Sequence, residues 1–179
     1  LTDMKQYCDL LSSSGQKMYG PKGIGFLFVR EEIRELIQPV LFGGSQERGL
    51  RPGTLNVPAI VGLGEACRIF IEEHAAECSR LCGLRDQIIK KALALSSRIR
   101  LNGHPTERLC NNINLTIQDL SSDLFALGLS GIAVSGASAC SAGAASHVLK
   151  AIGHSDAEAN SSLRIGIGRM TTDADADLV

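Results

Sequence analysis

Lys17 lies between a serine-rich segment and a Gly-Pro turn, a position in which a lysine could take part in cofactor binding. Ser12–Gln16 supplies hydroxyl and amide groups that, with backbone amides, are good hydrogen-bond donors to a phosphate. A lysine among such groups could be linked covalently to pyridoxal 5'-phosphate (PLP) while its neighbours bind the phosphate. A nucleotide P-loop is excluded, because Gly20-Pro-Lys-Gly23 does not match GxxxxGK[ST]. The alternative, which composition alone favours, is a surface lysine in a polar loop.

Cys140 lies in the segment 136–146, which is otherwise made only of Gly, Ala and Ser. No bulky side chain would anchor this loop, so we expect its cysteine to be exposed and mobile. The thiolate is the reactive form of cysteine, and a nearby cation or helix N-terminus is needed to make it a good nucleophile. The alternative is an unreactive cysteine in a flexible linker, and composition does not separate the two.

Two further segments place arginines where they suit anion binding. Arg164 falls within 161–169, a strand pattern that is otherwise largely apolar, and its planar guanidinium suits a carboxylate bidentately. The loop 46–54 combines two arginines with glycines and Thr54, which indicates anion binding or a subunit contact. The alternative for Arg164 is a structural ion pair. The alternative for the loop 46–54 is a surface loop with internal salt bridges.

The six cysteines form no CxxC pair, and their spacing does not predict a disulfide framework. A reducing compartment is therefore expected. His74, Cys78 and Cys82 recur at i, i+4 and i+8 of a predicted helix. A metal site there would need a fourth ligand or an open position, so packing thiols beside a surface histidine are the better interpretation, and no metal site is predicted.

Composition places the chain among globular proteins and argues against several functions. Of its 179 residues, 44% are hydrophobic and 21% charged, with a net charge of -1, as in ordinary globular domains. This balance does not indicate a nucleic-acid or anionic-membrane partner. No apolar run approaches the roughly 18 residues of a membrane span, and the first residues lack a signal-peptide layout. We expect both ends of the sequence to be cut, since it starts without methionine.

Periodicity and turn signals predict alternating strands and helices, which favours an α/β or α+β arrangement. A long helix is predicted from Pro58 to about Leu95, with a kink or a domain crossing near His74. The other predicted helices lie at 121–129 and 147–152 and after 171–173. The predicted strands are 7–11, 24–29, 111–117, 132–134 and 163–167.

Four segments together resemble the motifs of cysteine desulfurases of the NifS/IscS type, in the class V aminotransferase family. Ser12–Gly25 is similar to the family's PLP-lysine motif, and Glu47–Gly62 to its loop near the dimer interface. Val134–Cys140 is similar to its catalytic-cysteine loop, and Ser161–Thr172 to its substrate-arginine strand. The resemblance runs through nearly the whole chain in the family's order. Four motifs together are specific where one alone is only suggestive.

The resemblance implies an α/β fold, the C-terminal part of a fold-type I PLP-dependent transferase. Residues 1–73 would end the large PLP-binding domain, and 74–179 would form the small α+β domain with the cysteine loop. By position, Lys17 is implied to link PLP, and Cys140 to receive sulfur. The other implied contacts are the PLP phosphate for Ser14 and Gln16, the phosphate in the partner subunit's site for Thr54, and the substrate carboxylate for Arg164.

The implied activity converts L-cysteine to L-alanine and leaves a persulfide on Cys140. A sulfur acceptor such as an iron–sulfur scaffold protein is implied as a partner, and Thr54 implies a homodimer. No nucleic acid or membrane partner is expected, and the expected location is cytoplasmic, with an organelle matrix or stroma also open. Two alternatives remain: a selenocysteine lyase or related PLP enzyme, and a non-catalytic paralogue.

Three features depart from the family pattern. Gln16 replaces the usual histidine before the lysine, and its amide can donate a hydrogen bond but brings no positive charge. The loop after Cys140 is shorter, with Ala144-Ala145 in place of its usual Leu-Glu-Pro character. The upstream half of the large domain is absent from this sequence. In the family that half supplies an aspartate for the pyridine nitrogen and a histidine that stacks on the ring, so we expect no turnover by these residues alone.

Overall fold

The computed structural model describes residues 4–120, 132, 134–135 and 145–178. Contacts divide the chain into two compact units, Leu1–His74 and Ala75–Val179. In the described part of the chain, each unit has its own antiparallel sheet. The mixture of helices and strands agrees with the fold class that the sequence predicts.

The first unit contains strands β1 (Leu10–Ser14) and β2 (Gly25–Val29), after a short helix α1 (Met4–Tyr7). The two strands are antiparallel and end where Ser14 pairs with Gly25. β2 was predicted to within one residue, whereas the strand predicted at 7–11 is wrong by three residues. The serines expected in a loop complete β1, because strand pairing uses backbone groups that every residue type except proline supplies in full.

Between β2 and the long helix the chain forms irregular loops with two short 3-10 helices, Glu31–Leu36 and Gln46–Gly49. Helix α2 (Val57–Leu95) then runs for 39 residues. Pro58 lies in its first turn, as predicted, where a missing N–H has no helical partner to lose. The expected interruption near His74 is a boundary between the two units, and the helix itself continues through it.

The second unit is built on a three-stranded sheet in the order β3 (Ile99–Leu101), β4 (Asn112–Ile117) and β5 (Ser162–Gly166). Residues alternate between its two faces, and the apolar face packs with one stripe of α2. This core includes Leu81, Leu84 and Ile88 of the helix, and Ile113, Leu115, Leu163 and Ile165 of the sheet. The stripe on α2 was predicted from its helical spacing.

Three short helices complete the described part of the second unit: α3 (His147–Ala151), α4 (Asp156–Asn160) and α5 (Asp173–Leu178). Each begins after a residue whose hydroxyl accepts from a backbone N–H in the first turn, namely Ser146, Ser155 and Thr172. In the described ranges, no helix combines the length and apolarity needed to cross a membrane.

The sequence patterns located four of these elements to within two residues: β4, β5, α3 and α5. They missed β3 and α4, which have only 3 and 5 residues, too few for a clear periodicity. The predicted helix at 121–129 lies outside the described residues. Of the strand predicted at 132–134, residue 133 also lies outside them, whereas Ile132 and Val134 are described and belong to no strand. Next to that strand, Ser135 forms an isolated bridge with Arg164.

We expect Ile88→Ala to lower the free energy of unfolding by about 2–5 kcal/mol, because it removes a side chain from a packed core. Ile88 is 2% exposed, whereas Leu95 on the same helix is 76% exposed. The matched control Leu95→Ala should change the free energy by less than about 0.5 kcal/mol. Urea unfolding monitored by circular dichroism measures both, and equal losses would contradict this description of the core.

A pH-dependent contribution to stability is expected from Glu158, in α4. Its carboxylate accepts hydrogen bonds from the Ser155 backbone N–H at 2.9 Å and from Arg100 at 2.6 Å. These bonds lower the pKa of Glu158 from 4.5 to about 2. Because the folded pKa is the lower one, the stabilisation is present above pH 4.5 and is lost as the pH falls toward 2.

Glu158→Gln should therefore be less stable than wild type at neutral pH, and the difference should shrink as the pH falls through that window. Urea unfolding at several pH values tests this. Glu32→Gln is a suitable control, since Glu32 is exposed and has no hydrogen bond or ion pair within the described residues. A difference for Glu158→Gln that stays constant with pH would contradict the assignment.

Candidate functional site

Lys17 lies in a 3-10 helix, Gly15–Met18, directly after β1. The Gly15 N–H donates to the Ile24 carbonyl at 2.8 Å, and the Gly20 N–H donates to the Gly15 carbonyl at 2.9 Å. Tyr19 ends the helix in the left-handed conformation, at φ 61°, which a non-glycine residue adopts at an energetic cost. These closures hold the backbone of Lys17 in one tight turn.

The first turns of α2 lie against this turn at short range. A Cβ added at Gly62 would lie 2.7 Å from Pro21 Cγ, and one added at Gly15 would lie 3.2 Å from Leu63 Cδ1. Leu63 and Ala66 are both buried. The small residues therefore let the helix and the Lys17 turn approach closely, so tertiary packing adds to the rigidity of the turn.

Three residues at the turn carry donor groups on their side chains: Ser14, Gln16 and Lys17. Ser14 is half-buried, and its hydroxyl does not cap the 3-10 helix. Gln16 and Lys17 are exposed, and neither has a side-chain hydrogen bond or ion pair within the described residues. This set of a hydroxyl, an amide and an ammonium group fits a phosphate with an aldehyde-bearing ring, because each group can donate to or react with such a ligand.

Thr54 lies in an exposed loop of the same unit. The loop contains three successive residues with positive φ, Glu47, Arg48 and Gly49. The side-chain oxygen of Gln46 accepts from the Gly53 N–H at 3.1 Å, which fixes the chain next to Thr54. Thr54 itself is exposed and has no side-chain partner within the described residues.

Arg164 belongs to the second unit and lies on the polar face of the sheet. Its neighbours Leu163 and Ile165 are buried, but Arg164 is exposed. It borders a cavity of about 370 Å³ that is also lined by Asn114, Arg108 and His104. The structural ion pair weighed from the sequence is absent among the described residues, so the guanidinium faces this cavity with its donors available.

A buried polar cluster lies beside the cavity, and sequence reasoning missed it. Asn102, Thr116 and Ser162 are 3%, 1% and 1% exposed, and hydrogen bonds connect them to one another and to Asn114. The signal was present in 112–117 (Asn-Ile-Asn-Leu-Thr-Ile), where polar residues alternate with apolar ones. That alternation predicts a polar face, but the bonding partners come from β5 and from Asn102, which directly follows β3.

The α2 cysteines at positions 67, 78 and 82 are half-buried, and so is Cys110 after β3. Burial, followed by a hydrogen bond with Cys78, raises the pKa of Cys110 from 9.0 to about 11, so its thiol stays protonated at neutral pH. His74 stacks on Phe70 with ring centroids 4.4 Å apart. Within the described residues, no group of three or more His, Cys, Asp or Glu side chains is arranged to hold a metal ion.

Cys140 lies outside the described residues, so its predicted place in a loop stays a prediction. The Lys17 turn and Thr54 belong to the unit Leu1–His74, and Arg164 belongs to Ala75–Val179. The two groups of donors are therefore described separately.

Comparison with known proteins places these motifs in a family. The family model for aminotransferase class-V matches residues 2–179. The mitochondrial cysteine desulfurase of Arthroderma benhamiae is 43% identical over 173 residues, covering 96% of this chain and 34% of that protein. Cysteine desulfurase IscS 1 of Archaeoglobus fulgidus is 44% identical over 173 residues, covering 94% of this chain and 44% of that protein.

Among solved structures, a NifS-like protein superimposes with a TM-score of 0.84 at 31% identity, covering 97% of this chain and 44% of that chain. The chain thus spans less than half the length of these relatives. The agreement extends over nearly all of its own residues in both sequence and fold. The chain belongs to the class V aminotransferase family, among the cysteine desulfurases of the NifS/IscS type. Their fold is that of the fold-type I PLP enzymes.

Proposed function

We propose that this chain is the C-terminal part of a PLP-dependent cysteine desulfurase that converts L-cysteine to L-alanine. The observation that supports this most directly is the Lys17 turn, where a rigid backbone presents an amine beside a free hydroxyl and a free amide. The family to which the chain belongs consists of PLP enzymes, which agrees with this donor set. Two relatives with 43% and 44% sequence identity to this chain are named cysteine desulfurases.

In this proposal Lys17 links PLP covalently, while Ser14 and Gln16 donate hydrogen bonds to its phosphate. Gln16 supplies an uncharged amide where the family pattern has a histidine, so phosphate affinity should be lower than with a charged imidazolium. When bound, PLP supplies an electron sink for the bonds at the substrate's α-carbon. The Lys17 amine, once released from its covalent link, moves the α-proton.

Arg164 and Cys140 act on the substrate itself. Arg164 binds the carboxylate of L-cysteine through its paired N–H donors, which orients the amino acid. The Cys140 thiolate then attacks the substrate sulfur, forming an S–S bond while the substrate's C–S bond breaks. The products are a persulfide on Cys140 and, after protonation of the remaining carbon, alanine.

The proposal extends to domains and partners. Residues 1–73 would belong to the large PLP-binding domain and 74–179 to the small domain. A homodimer would bring Thr54 to the phosphate in the partner subunit's site, and the exposed apolar run Val40–Phe42, with Phe42 88% exposed, supports a subunit contact in this region. A sulfur acceptor, such as an iron–sulfur scaffold protein, would then take the persulfide sulfur. A cytoplasmic or organelle-matrix location suits this role, and one relative is mitochondrial.

Lys17→Ala should abolish the covalent link to PLP. In wild-type holoenzyme, comprising this chain and the upstream segment found in relatives, borohydride reduction should fix the cofactor on the peptide that contains Lys17. Lys22→Ala, at an exposed lysine of the same loop, is the matched control and should leave the link intact. Mass spectrometry of the digested protein reads both, and an adduct on Lys22, or none, would contradict the assignment.

Cys140→Ser should lower the rate of desulfuration by about 10³- to 10⁶-fold, as expected when a catalytic nucleophile is lost. The PLP absorbance should remain, because the cofactor is held elsewhere. Alanine and sulfide release in the presence of a reductant measures the rate, with Cys67→Ser as the control. Undiminished alanine formation by the Cys140 variant would favour a lyase that eliminates without a protein thiol.

A further inference from the structure

The cavity of the second unit has a second hydrogen-bond donor beside Arg164. Asn114 on β4 pairs directly with Arg164 on β5, so the two side chains project from the same face of the sheet, with Cβ atoms about 4.5–5.5 Å apart. Both line the cavity. What Asn114 offers to a ligand depends on which end of its amide faces the cavity.

The buried cluster decides that orientation, beginning at Ser162. Its hydroxyl lies 2.7 Å from the Glu158 carbonyl oxygen, and since a carbonyl can only accept, Ser162 uses its single hydrogen there. The same hydroxyl lies 3.1 Å from Asn102 Nδ2. Ser162 must accept in this second bond, so the nitrogen of the Asn102 amide, and not its oxygen, faces Ser162.

The fixed amide of Asn102 in turn fixes Asn114. The Thr116 hydroxyl lies 2.9 Å from Asn102 Oδ1 and 2.8 Å from the Ser162 hydroxyl. Because Ser162 donates its hydrogen to Glu158, Thr116 shares its single hydrogen between these two acceptors. The second hydrogen of Asn102 Nδ2 is donated to Asn114 Oδ1 at 2.6 Å. Turning either amide around would set like groups against each other inside a cluster that excludes water. The oxygen of Asn114 is thus committed to the cluster, and its NH2 group is the end left for the cavity.

Two of the other polar side chains that line the cavity, Arg108 and His104, are engaged in hydrogen bonds within the chain. Arg108 donates to the carbonyl oxygens of Asn112 and Asn102, each at 3.3 Å. The Nδ1 of His104 accepts from the Glu107 N–H at 2.8 Å. Glu107 is the one carboxylate among the described lining residues. Arg164 and Asn114 are paired directly across the two strands, and each can only donate at the position facing the cavity.

We propose that Asn114 binds the carboxylate of the substrate together with Arg164, and that Asn102 acts as the positioning residue that holds the Asn114 amide nitrogen toward it. This inference rests on the proposed function, in which Arg164 binds that carboxylate. Two converging donors fit an anionic carboxylate with two acceptor oxygens. Asn114 therefore adds selectivity for a free amino acid over a carboxylate-free analogue.

Asn114→Asp tests this, because the aspartate retains an oxygen for the bond from Asn102 but presents a second oxygen to the cavity instead of NH2. With the PLP-loaded, full-length protein, the KM for L-cysteine should rise more than about tenfold while kcat stays within about threefold, as expected when ground-state binding is lost. The Kd of L-alanine, measured by titration calorimetry, should rise in proportion. The Kd of L-alanine methyl ester, which lacks the negative charge, should change less than about twofold.

Two companion variants separate the possible outcomes. Asn111→Ala, at an exposed asparagine outside the cavity, is the matched control and should leave all these values unchanged. Arg164→Ala should raise the KM for L-cysteine. If it does and Asn114→Asp does not, the role of Asn114 is overturned and the proposed function stands. If neither variant changes KM, carboxylate binding at Arg164 fails as well. If Asn114→Asp weakens the binding of the ester as much as that of L-alanine, the variant has a structural defect and the role of Asn114 is overturned.

Discussion

The register between β4 and β5 is the constraint on which the second unit depends. Side chains alternate along each strand, so the pairing that sends Ile113 and Ile165 into the core also sets Asn114 beside Arg164. A slip of one residue would expose the apolar set and turn the polar set toward α2. Burial of the apolar face against the helix therefore fixes the arrangement of the polar face. Asn114 and Arg164 both act as hydrogen-bond donors and therefore do not attract each other. They meet in one cavity because the strand register places them side by side.

The Lys17 turn depends on a different constraint, the close approach of backbone segments. Gly25 begins β2 where a Cβ would lie 2.3 Å from the Ser13 carbonyl oxygen, and Gly62 gives Pro21 room against α2. Larger residues at either position would push the turn outward. The turn is thus defined by small residues, and the backbone of Lys17 gains its fixed position from them.

The two sets of donors are kept available in opposite ways. Ser14, Gln16 and Lys17 are available because a short turn gives them no partners within the described residues. Asn114 is available because its oxygen is bonded to Asn102 and its nitrogen is left over. In the second case a buried hydrogen-bonded cluster orients the half-buried Asn114 amide, so the cluster transmits order from the core to the cavity. Such orientation suits the binding of a carboxylate, which is recognised by direction as well as by charge.

The sequence by itself determined the features that depend on local pattern. The spacing of apolar residues predicted α2, β2, β4 and β5, and the residue types around Lys17 and Arg164 marked both as candidates. The boundaries of β1 were wrong because strand pairing depends on a partner and not on the serines themselves. Only the tertiary structure decided that Arg164 faces a cavity, that Asn114 lies opposite it, and that Asn102, Thr116 and Ser162 form one buried cluster. Each of these is a relation between residues far apart in the chain, set by strand register and core packing, and no short stretch of sequence contains the information that selects one register over another.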